Sequence, residues 1–431
     1  MARLFKKLIV WLITLEARAI LARHAPQVIA VTGSVGKTTT KDAIFAALAE
    51  GGLYARKSEK SFNSEIGVPL TIIGCENAWH NPFLWVWNLL RGLRALVSGS
   101  YPAWLVLEVG ADRPGDISSI ARWLRPDIAV LTGVPDVPVH VEFFDSPRAV
   151  VREKRSLVTH LKPGGRIILN GDDANIRSIW QEFRGAAMRY GLGAENDYAA
   201  SHYEVAYDNG LPYGIRFRLA HDGSSIPIRT DGALGYPRVY AALAALATAD
   251  AVGIEPVSAA KGLAMWEPQP GRLRLVKGIK GSIIIDDTYN SSPAAALAAL
   301  DTLASVHTQG RKIAILGDML ELGRYSSEQH RTVGERAAKS ADILITVGFR
   351  ARLMKEAALD AGMRDEVIRE YEQNEARRAG KELESIIGPG DVILVKGSQS
   401  MRMERAVEEI MAEPARAAAL LVRQEKEWRG R

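Results

Sequence analysis

The sequence feature that most constrains the fold is the segment TGSVGKTT at residues 32–39, which lies between the β-branched run VIAV and a helical pattern. Its glycines allow backbone N–H groups to turn inward around phosphate oxygens, and the helix that follows adds the positive end of its dipole. The Lys37 ammonium can reach terminal phosphates, and the Thr38 hydroxyl can hold magnesium. A full G-x-x-x-x-G-K-T motif would need glycine where Val31 stands. The loop residues expected to bind nucleotide are Gly33, Ser34, Gly36, Lys37, Thr38 and Thr39.

The same order of strand, loop and helix recurs along the chain. Apolar runs at 104–107, 128–131 and 166–169 each end at polar or glycine residues, which is typical of parallel strands buried on both faces. Alternating residues at 197–229 predict an antiparallel patch. Further apolar runs alternate with helical segments after Arg272, which predicts a second doubly wound unit.

These patterns predict an α/β fold with a central P-loop ATPase-like parallel sheet domain and a smaller Rossmann-like C-terminal α/β domain. The expected divisions are an N-terminal apolar and basic helix at 1–27, a central ATP-binding domain at 28–271 and a C-terminal domain at 272–431.

Composition excludes several other classes of protein. The chain has 431 residues, 47% of them hydrophobic, and its 55 Lys and Arg against 50 Asp and Glu are spread along the chain, which argues against a nucleic-acid binder. The single cysteine, Cys75, cannot form an internal disulfide and is typical of a reducing compartment. We therefore expect a cytoplasmic protein.

The N-terminus allows an alternative, a membrane-associated protein. Residues 4–13 are apolar apart from two lysines, but this stretch is too short to span a bilayer, which takes about 20 residues. Two interpretations remain open. The segment is either a helix packed on the next domain or an interfacial helix in peripheral membrane contact, with Trp11 and basic residues at the lipid surface.

Three further residues are candidates for chemistry. Glu108 follows an apolar strand at the edge of the sheet where ligands of open α/β sheets bind, so it can hold metal. His140 follows another strand, although a lone histidine is more often structural. Lys154 lies in the helical segment 148–160 and by itself resembles a solvated surface lysine.

Several strings together resemble the Mur ligase family, most closely its MurF branch. They are TGSVGKTTTKDAI, LVLEVGADRPGDI, HVEFF with VREK, PGRLRLV, IIDDTYNSSP, KIAILGDMLELG and VILVKGSQSMRMER, and they occur in family order over about residues 28–410. The resemblance implies an ATP-dependent amide ligase of peptidoglycan precursor synthesis. Such an enzyme phosphorylates the carboxylate of a muramoyl peptide and lets an amine such as D-Ala-D-Ala attack the acyl phosphate.

The resemblance also implies site roles. Lys37 and Thr38 would hold the ATP phosphates and Mg²⁺, and Glu108 would bind the same Mg²⁺ ion. His140 would bind a second Mg²⁺ ion. Lys154 matches a family lysine that is carbamylated, which gives it a negative charge that can support metal.

Five residues of the C-terminal half receive roles in the same way. Arg272 would contact a phosphate, and Asp287, with Asn290 in the same loop, would bind the ribose. Lys396 and Ser398 would receive the amine substrate.

The sequence departs from the family in three places. Pro237 and Ala241 stand where a histidine and an asparagine are usual, so adenine contacts come from elsewhere, for example Tyr240, or base selectivity is looser. Only 31 residues precede Thr32, so we expect no separate uridine-binding domain. Either other surfaces hold the uridine nucleotide of the substrate, or the acceptor is not the usual UDP-linked precursor.

The third departure is the tryptophan-rich insertion at 79–90. It either packs with the N-terminal helix or forms an apolar surface for a lipid-linked substrate, a partner or a membrane. We expect acceptor recognition to depend on these two segments.

Two other functions remain as alternatives. One is a ligase with the same chemistry and a lipid-linked or otherwise non-UDP acceptor. The other is a non-catalytic nucleotide-binding partner subunit, which would have no need of Lys37, Glu108, His140 and Lys154 together.

Overall fold

The structure is a computed structural model that describes residues 2–59, 61–79, 81–425 and 428. Its helices are α1 Ala2–His24, α2 Lys37–Glu50, α3 Gly67–Ile73, α4 Pro82–Val97, α5 Asp116–Leu124, α6 Pro147–Thr159, α7 Ala174–Glu182, α8 Tyr236–Ala251, α9 Pro256–Ala264, α10 Pro293–Ser305, α11 Ser326–Ser340, α12 Arg352–Asp360, α13 Ala376–Glu384, α14 Glu404–Ile410 and α15 Ala417–Leu420. Short 3₁₀ helices occur at Val141–Phe143, Ile279–Gly281, Gly323–Tyr325, Asp365–Val367, Gln399–Met401 and Pro414–Arg416.

The strands form two sheets. They are β1 Gln27–Thr32, β2 Ala55–Lys57, β3 Trp104–Glu108, β4 Ile128–Leu131, β5 Arg166–Asn170, β6 Ala186–Gly191, β7 Tyr198–Asp208, β8 Leu211–His221, β9 Ser224–Asp231, β10 Arg274–Lys277, β11 Ile283–Asp287, β12 Lys312–Gly317, β13 Ile343–Val347, β14 Ile368–Tyr371 and β15 Val392–Lys396. The first sheet has the order β2-β3-β1-β4-β5-β6-β7-β8-β9, and the second has the order β10-β11-β15-β12-β13-β14.

Strand direction follows the sequence patterns. Strands β1 to β6 pair in parallel, whereas β7, β8 and β9 form the antiparallel patch predicted from alternation. In the second sheet only β10 is antiparallel. The predicted α/β fold class with two sheets is confirmed.

Apolar layers cover both faces of the first sheet. One layer contains α2 and the Ala-rich α8, most of whose side chains are buried. This layer continues into the second sheet through residues such as Ile285 and Leu316. We propose that the boundary between the two α/β domains lies near Arg272, just before β10.

The N-terminal helix is part of the opposite layer. Ile9, Ile13, Ala17 and Ile20 of α1 are buried in the same cluster as β1 and β3. Their spacing of three and four residues places them on one helix face. This face of the segment therefore packs on the next domain, as one of the two interpretations expected. Among the described residues, none of the helices is both long and apolar enough to cross a bilayer.

The packing of α1 predicts a contrast between two of its residues. Ile13 is fully buried and Leu15 is 50% exposed. We expect Ile13→Ala to lower the free energy of unfolding by about 2–5 kcal/mol because it leaves a cavity. Leu15→Ala should change it by less than about 0.5 kcal/mol. Denaturant unfolding followed by circular dichroism measures both. Equal, small losses would contradict the placement of α1 in the core.

Candidate active site

A cleft of about 840 Å³ lies between the two sheets and gathers most of the predicted site. Twelve of the fourteen residues predicted to act in the site line it: Ser34, Gly36, Lys37, Thr38, Thr39, Glu108, His140, Arg272, Asp287, Asn290, Lys396 and Ser398. Gly33 and Lys154 lie outside this lining. The cleft draws on both α/β units, so residues more than 300 positions apart in sequence meet there.

The phosphate loop is anchored to the end of β4. The backbone N–H of Ser34 donates to Gly133 O at 2.7 Å. At Gly33 a β-carbon would come within 2.0 Å of Thr132 Oγ1, so only glycine fits. The loop approaches Thr132 closely at Gly33. It therefore forms even though Val31 stands where the longer motif has its first glycine.

The loop leaves donors free for an anion. Helix α2 begins at Lys37 after Gly36, which has φ 80°, and no side chain caps its first N–H groups. The Ser34 hydroxyl is buried and has no hydrogen-bond partner among the described residues. Uncapped N–H groups and an unpartnered hydroxyl fit phosphate oxygens.

A hydroxyl and a carboxylate lie together beside the loop. Thr38 Oγ1 donates to Glu108 Oε2 at 2.8 Å, and Asn63 Nδ2 donates to Glu108 Oε1 at 3.0 Å. Ser61 Oγ lies 3.3 Å from the Thr38 hydroxyl. Glu108 is only 1% exposed. Mg²⁺ usually takes one or two protein carboxylates and completes its shell with phosphate and water, so this donor set fits the metal.

Two lysines near the loop have lowered pKa values. Burial lowers the pKa of Lys37, and burial together with the Lys37 charge lowers the pKa of Lys154 to about 7. Lys154 is 2% exposed and forms no hydrogen bond with the described residues. Its neighbour Glu153 instead accepts N–H groups of Gly115, Ile117 and Ser118 at the start of α5. Lys154 is thus a buried amine rather than a solvated one.

His140 joins the two α/β units. Its Nδ1 lies 2.5 Å from Glu321 Oε2, and its Nε2 lies 3.5 Å from Asp112 Oδ1. The close contact with His140 lowers the pKa of Glu321. Within the described part of the chain, no three His, Cys, Asp or Glu side chains form a metal-binding group. Metal near His140 would therefore need oxygen ligands from a substrate or a modified side chain.

Arg272 reaches across the domain boundary to the loop. Its Nη2 donates to Thr38 Oγ1 at 3.2 Å, and its guanidinium stacks 4.0 Å from the centre of the Tyr289 ring. This position places a fixed positive charge at the Thr38 end of the cleft.

Lys396 and Asp287 form a buried ion pair in the same cleft as Arg272. Lys396 Nζ donates to Asp287 Oδ2 at 2.6 Å and to Asn290 O at 2.9 Å, and Leu273 N donates to Asp287 Oδ1. Ser398 Oγ accepts from Leu320 N at 2.9 Å. Lys396 therefore holds the Asp287 loop in place.

The start of α8 forms another wall. Tyr240 OH donates to Asp172 Oδ2 at 2.8 Å, and Tyr236 stacks on Tyr203 with ring centres 4.4 Å apart. Pro237 and Ala241 also line the cleft and supply no side-chain donor or acceptor there. Tyr240 and Asp172 supply polar groups to this wall, together with Tyr236 and Arg238.

Sequence reasoning missed several polar residues of the cleft, including four that contact predicted site residues. Ser61 and Asn63 follow β2, which has only three residues and gives little pattern, and Asp112 and Glu321 lie in irregular loops. The strings GADRPGD and GDMLELG contain Asp112 and Glu321, and they were the sequence signals that could have indicated these two residues. No described residue of α1 or α4 lines the cleft, so the structure gives these helices no part in acceptor recognition there.

The contact from Asn63 predicts a supporting role. Asn63→Ala removes the hydrogen bond that orients Glu108, so we expect Mg²⁺-dependent ADP binding to weaken about tenfold, the equivalent of about 1.4 kcal/mol. Titration calorimetry with and without Mg²⁺ measures this. A matched Asn77→Ala variant, outside the cleft, should bind as the unmodified chain does. Equal affinity for both variants would exclude the role.

Comparison with known proteins agrees with this geometry. Residues 93–249 match the Mur ligase middle domain, and residues 271–399 match the Mur ligase glutamate ligase domain. A Bacillus subtilis relative named UDP-N-acetylmuramoyl-tripeptide–D-alanyl-D-alanine ligase is 32% identical over 92% of this chain and 79% of its own length.

Two solved structures are similar over most of the chain. MurF from Acinetobacter baumannii aligns with a TM-score of 0.75 and 26% identity over 92% of this chain and 79% of that one. MurF from Thermotoga maritima in complex with ADP aligns with a TM-score of 0.75 and 25% identity over 93% of this chain and 83% of that one. This chain belongs to the Mur ligase family.

Proposed function

We propose that this chain is an ATP-dependent ligase of the MurF type that joins D-Ala-D-Ala, or another amine, to the carboxylate of a muramoyl peptide or a related acceptor. The observation that carries the proposal is that one cleft holds the phosphate loop, the Thr38–Glu108 pair and Arg272 of the domain boundary. Relatives named for this reaction support the choice of substrates. The reaction would serve peptidoglycan precursor synthesis.

The proposed roles follow from charge and position. Loop N–H groups, Ser34 and Lys37 would bind the phosphates of ATP, with Thr39 beside them. Magnesium would neutralise phosphate charge as the γ-phosphoryl group passes to the carboxylate. Thr38 and Glu108 would hold that ion, and Arg272 would stabilise the negative charge that develops next to it.

Two residues would serve a second metal site. His140 offers an imidazole nitrogen, and Lys154 would offer oxygen ligands after carbamylation. In that step the neutral amine attacks carbon dioxide, a C–N bond forms and a proton leaves. The lowered pKa of Lys154 supports the step because only the unprotonated amine is nucleophilic. The carbamate would carry a negative charge, so Lys37 would attract the modified Lys154 side chain instead of repelling it.

The C-terminal residues would position the other substrate groups. Asp287 already accepts from Lys396 and Leu273, yet each carboxylate oxygen keeps a lone pair for a ribose hydroxyl. Asn290, in the same loop, would face the ribose as well. Lys396 ends β15 and Ser398 follows it; both line the cleft and would flank the incoming amine.

The function is tested by measuring ATP consumption and amide formation with a panel of UDP-muramoyl peptides, with and without D-Ala-D-Ala. We expect phosphate release that depends on both substrates. Lys37→Ala should lower the rate more than about a hundredfold, about 3 kcal/mol, because the phosphate charge is left uncompensated. Turnover near that of the unmodified chain would contradict the loop assignment. Nucleotide binding without any turnover across the panel would favour the non-catalytic alternative.

Carbamylation of Lys154 makes a separate prediction. Lys154→Ala should be nearly inactive and partly rescued by short carboxylic acids, whereas the exposed Lys339→Ala should retain activity. The pKa of Lys154 is about 7, so the unprotonated amine predominates only when the pH is above that value. The carbamate should therefore be lost as the pH falls below it. Carbon-13 NMR with labelled bicarbonate measures the carbamate directly. Full activity of Lys154→Ala without added acid would remove the residue from the mechanism.

A further inference from the structure

Two neighbouring helices present a continuous set of apolar side chains to solvent. We call this set the α1/α4 face; it consists of Phe5, Leu8, Trp11, Leu15, Phe83, Leu84, Val86, Trp87, Leu90, Leu93 and Val97. Phe83 is 84% exposed, Val97 74% and Trp11 60%. The outward face of a surface helix is normally polar. An exposed apolar area spread over two helices therefore indicates a contact surface.

The opposite sides of the two helices are fixed to the body of the protein. Ile13 of α1 and Trp85 of α4 are buried in the same apolar cluster. His24 Nε2 lies 3.0 Å from Ala95 O, and the Glu16 carboxylate lies so close to Gly92 that any β-carbon there would clash with it. The helices cannot rotate to bury the α1/α4 face without losing these contacts.

The charged residues of these two helices are mostly basic. Helices α1 and α4 carry seven Lys and Arg residues against a single acidic residue, Glu16. The carboxylate of Glu16 faces α4, and burial raises its pKa to about 7. Lys7, Arg18, Arg91 and Arg94 are all exposed beside the apolar stripes. The surroundings therefore favour an anionic partner.

A groove along α1 combines both properties. It has a volume of about 560 Å³ and is lined by Lys6, Lys7 and Arg18 together with Trp11 of α1 and Trp123 of α5. Lys6 also pairs with Glu65 at 2.9 Å. Tryptophan rings and basic side chains are the groups that collect at the headgroup level of membranes.

We propose that the α1/α4 face docks the protein on the surface of a bilayer that contains anionic phospholipids. A second copy of the chain would bring equal positive charge to the contact and be repelled, whereas an anionic bilayer complements it. Since no described helix can cross a membrane, the helices would lie in the interface with their apolar side chains inserted. The proposal does not depend on the ligase reaction.

Vesicle flotation of the full chain tests the proposal. We expect binding to equimolar phosphatidylglycerol and phosphatidylcholine vesicles, and much less binding to phosphatidylcholine alone. The double variant Phe83→Glu with Trp87→Glu should lose at least about tenfold in binding because it places charge in the apolar layer. Lys7→Gln with Arg18→Gln should lose a similar factor on anionic vesicles only, since each charge contributes about fivefold.

Matched controls separate this face from general apolar exposure. Met265 is 78% exposed and Phe349 is 70% exposed, and both lie outside the face, so Met265→Glu and Phe349→Glu should bind as the unmodified chain does. Melting temperatures show that every variant is folded. No flotation of the unmodified chain with anionic vesicles, or flotation unchanged in Phe83→Glu with Trp87→Glu, overturns the proposal. A dimer seen by light scattering that this variant dissociates, without vesicle binding, would assign the face to a second copy.

Discussion

Parallel pairing of β1 with β3 and β4 is the constraint on which the site depends. The register sets Val31 opposite Glu108 and Thr32 opposite Leu131. The carboxyl ends of the three strands therefore meet at one edge of the sheet, where the phosphate loop, Glu108 and the Thr132–Gly133 turn come together. The hydrogen bond from Ser34 N to Gly133 O then fixes the loop, and Thr38 reaches the Glu108 carboxylate from the first turn of α2.

Buried positive charge is the second organising feature. A buried ammonium costs free energy unless an anion or several acceptors compensate it. Lys396 has Asp287, and Arg423 has Glu404 at 2.6 Å. For Lys154, by contrast, burial and the nearby charge of Lys37 lower the pKa to about 7. A buried amine with a lowered pKa is suited to the modification proposed for Lys154.

The two α/β units are joined by polar contacts that lie inside the cleft. Arg272 donates to Thr38, and His140 meets Glu321, so each contact connects a residue near the loop with one beyond the domain boundary. Residues proposed to act on phosphate therefore also form contacts between the two units.

The sequence by itself predicted the fold class and the phosphate loop, and motif strings that resemble a known family singled out Glu108, His140 and Lys154. These are local signals, because apolar runs, glycines and motif strings are written in neighbouring residues. Only the tertiary structure decided that Asn63 holds Glu108, that Lys396 is locked to Asp287, and that Glu321 faces His140. Such contacts join residues far apart in sequence, and their distances follow from strand register and domain packing. The structure also showed that α1 is apolar on both sides, one side buried in the core and the other exposed to solvent.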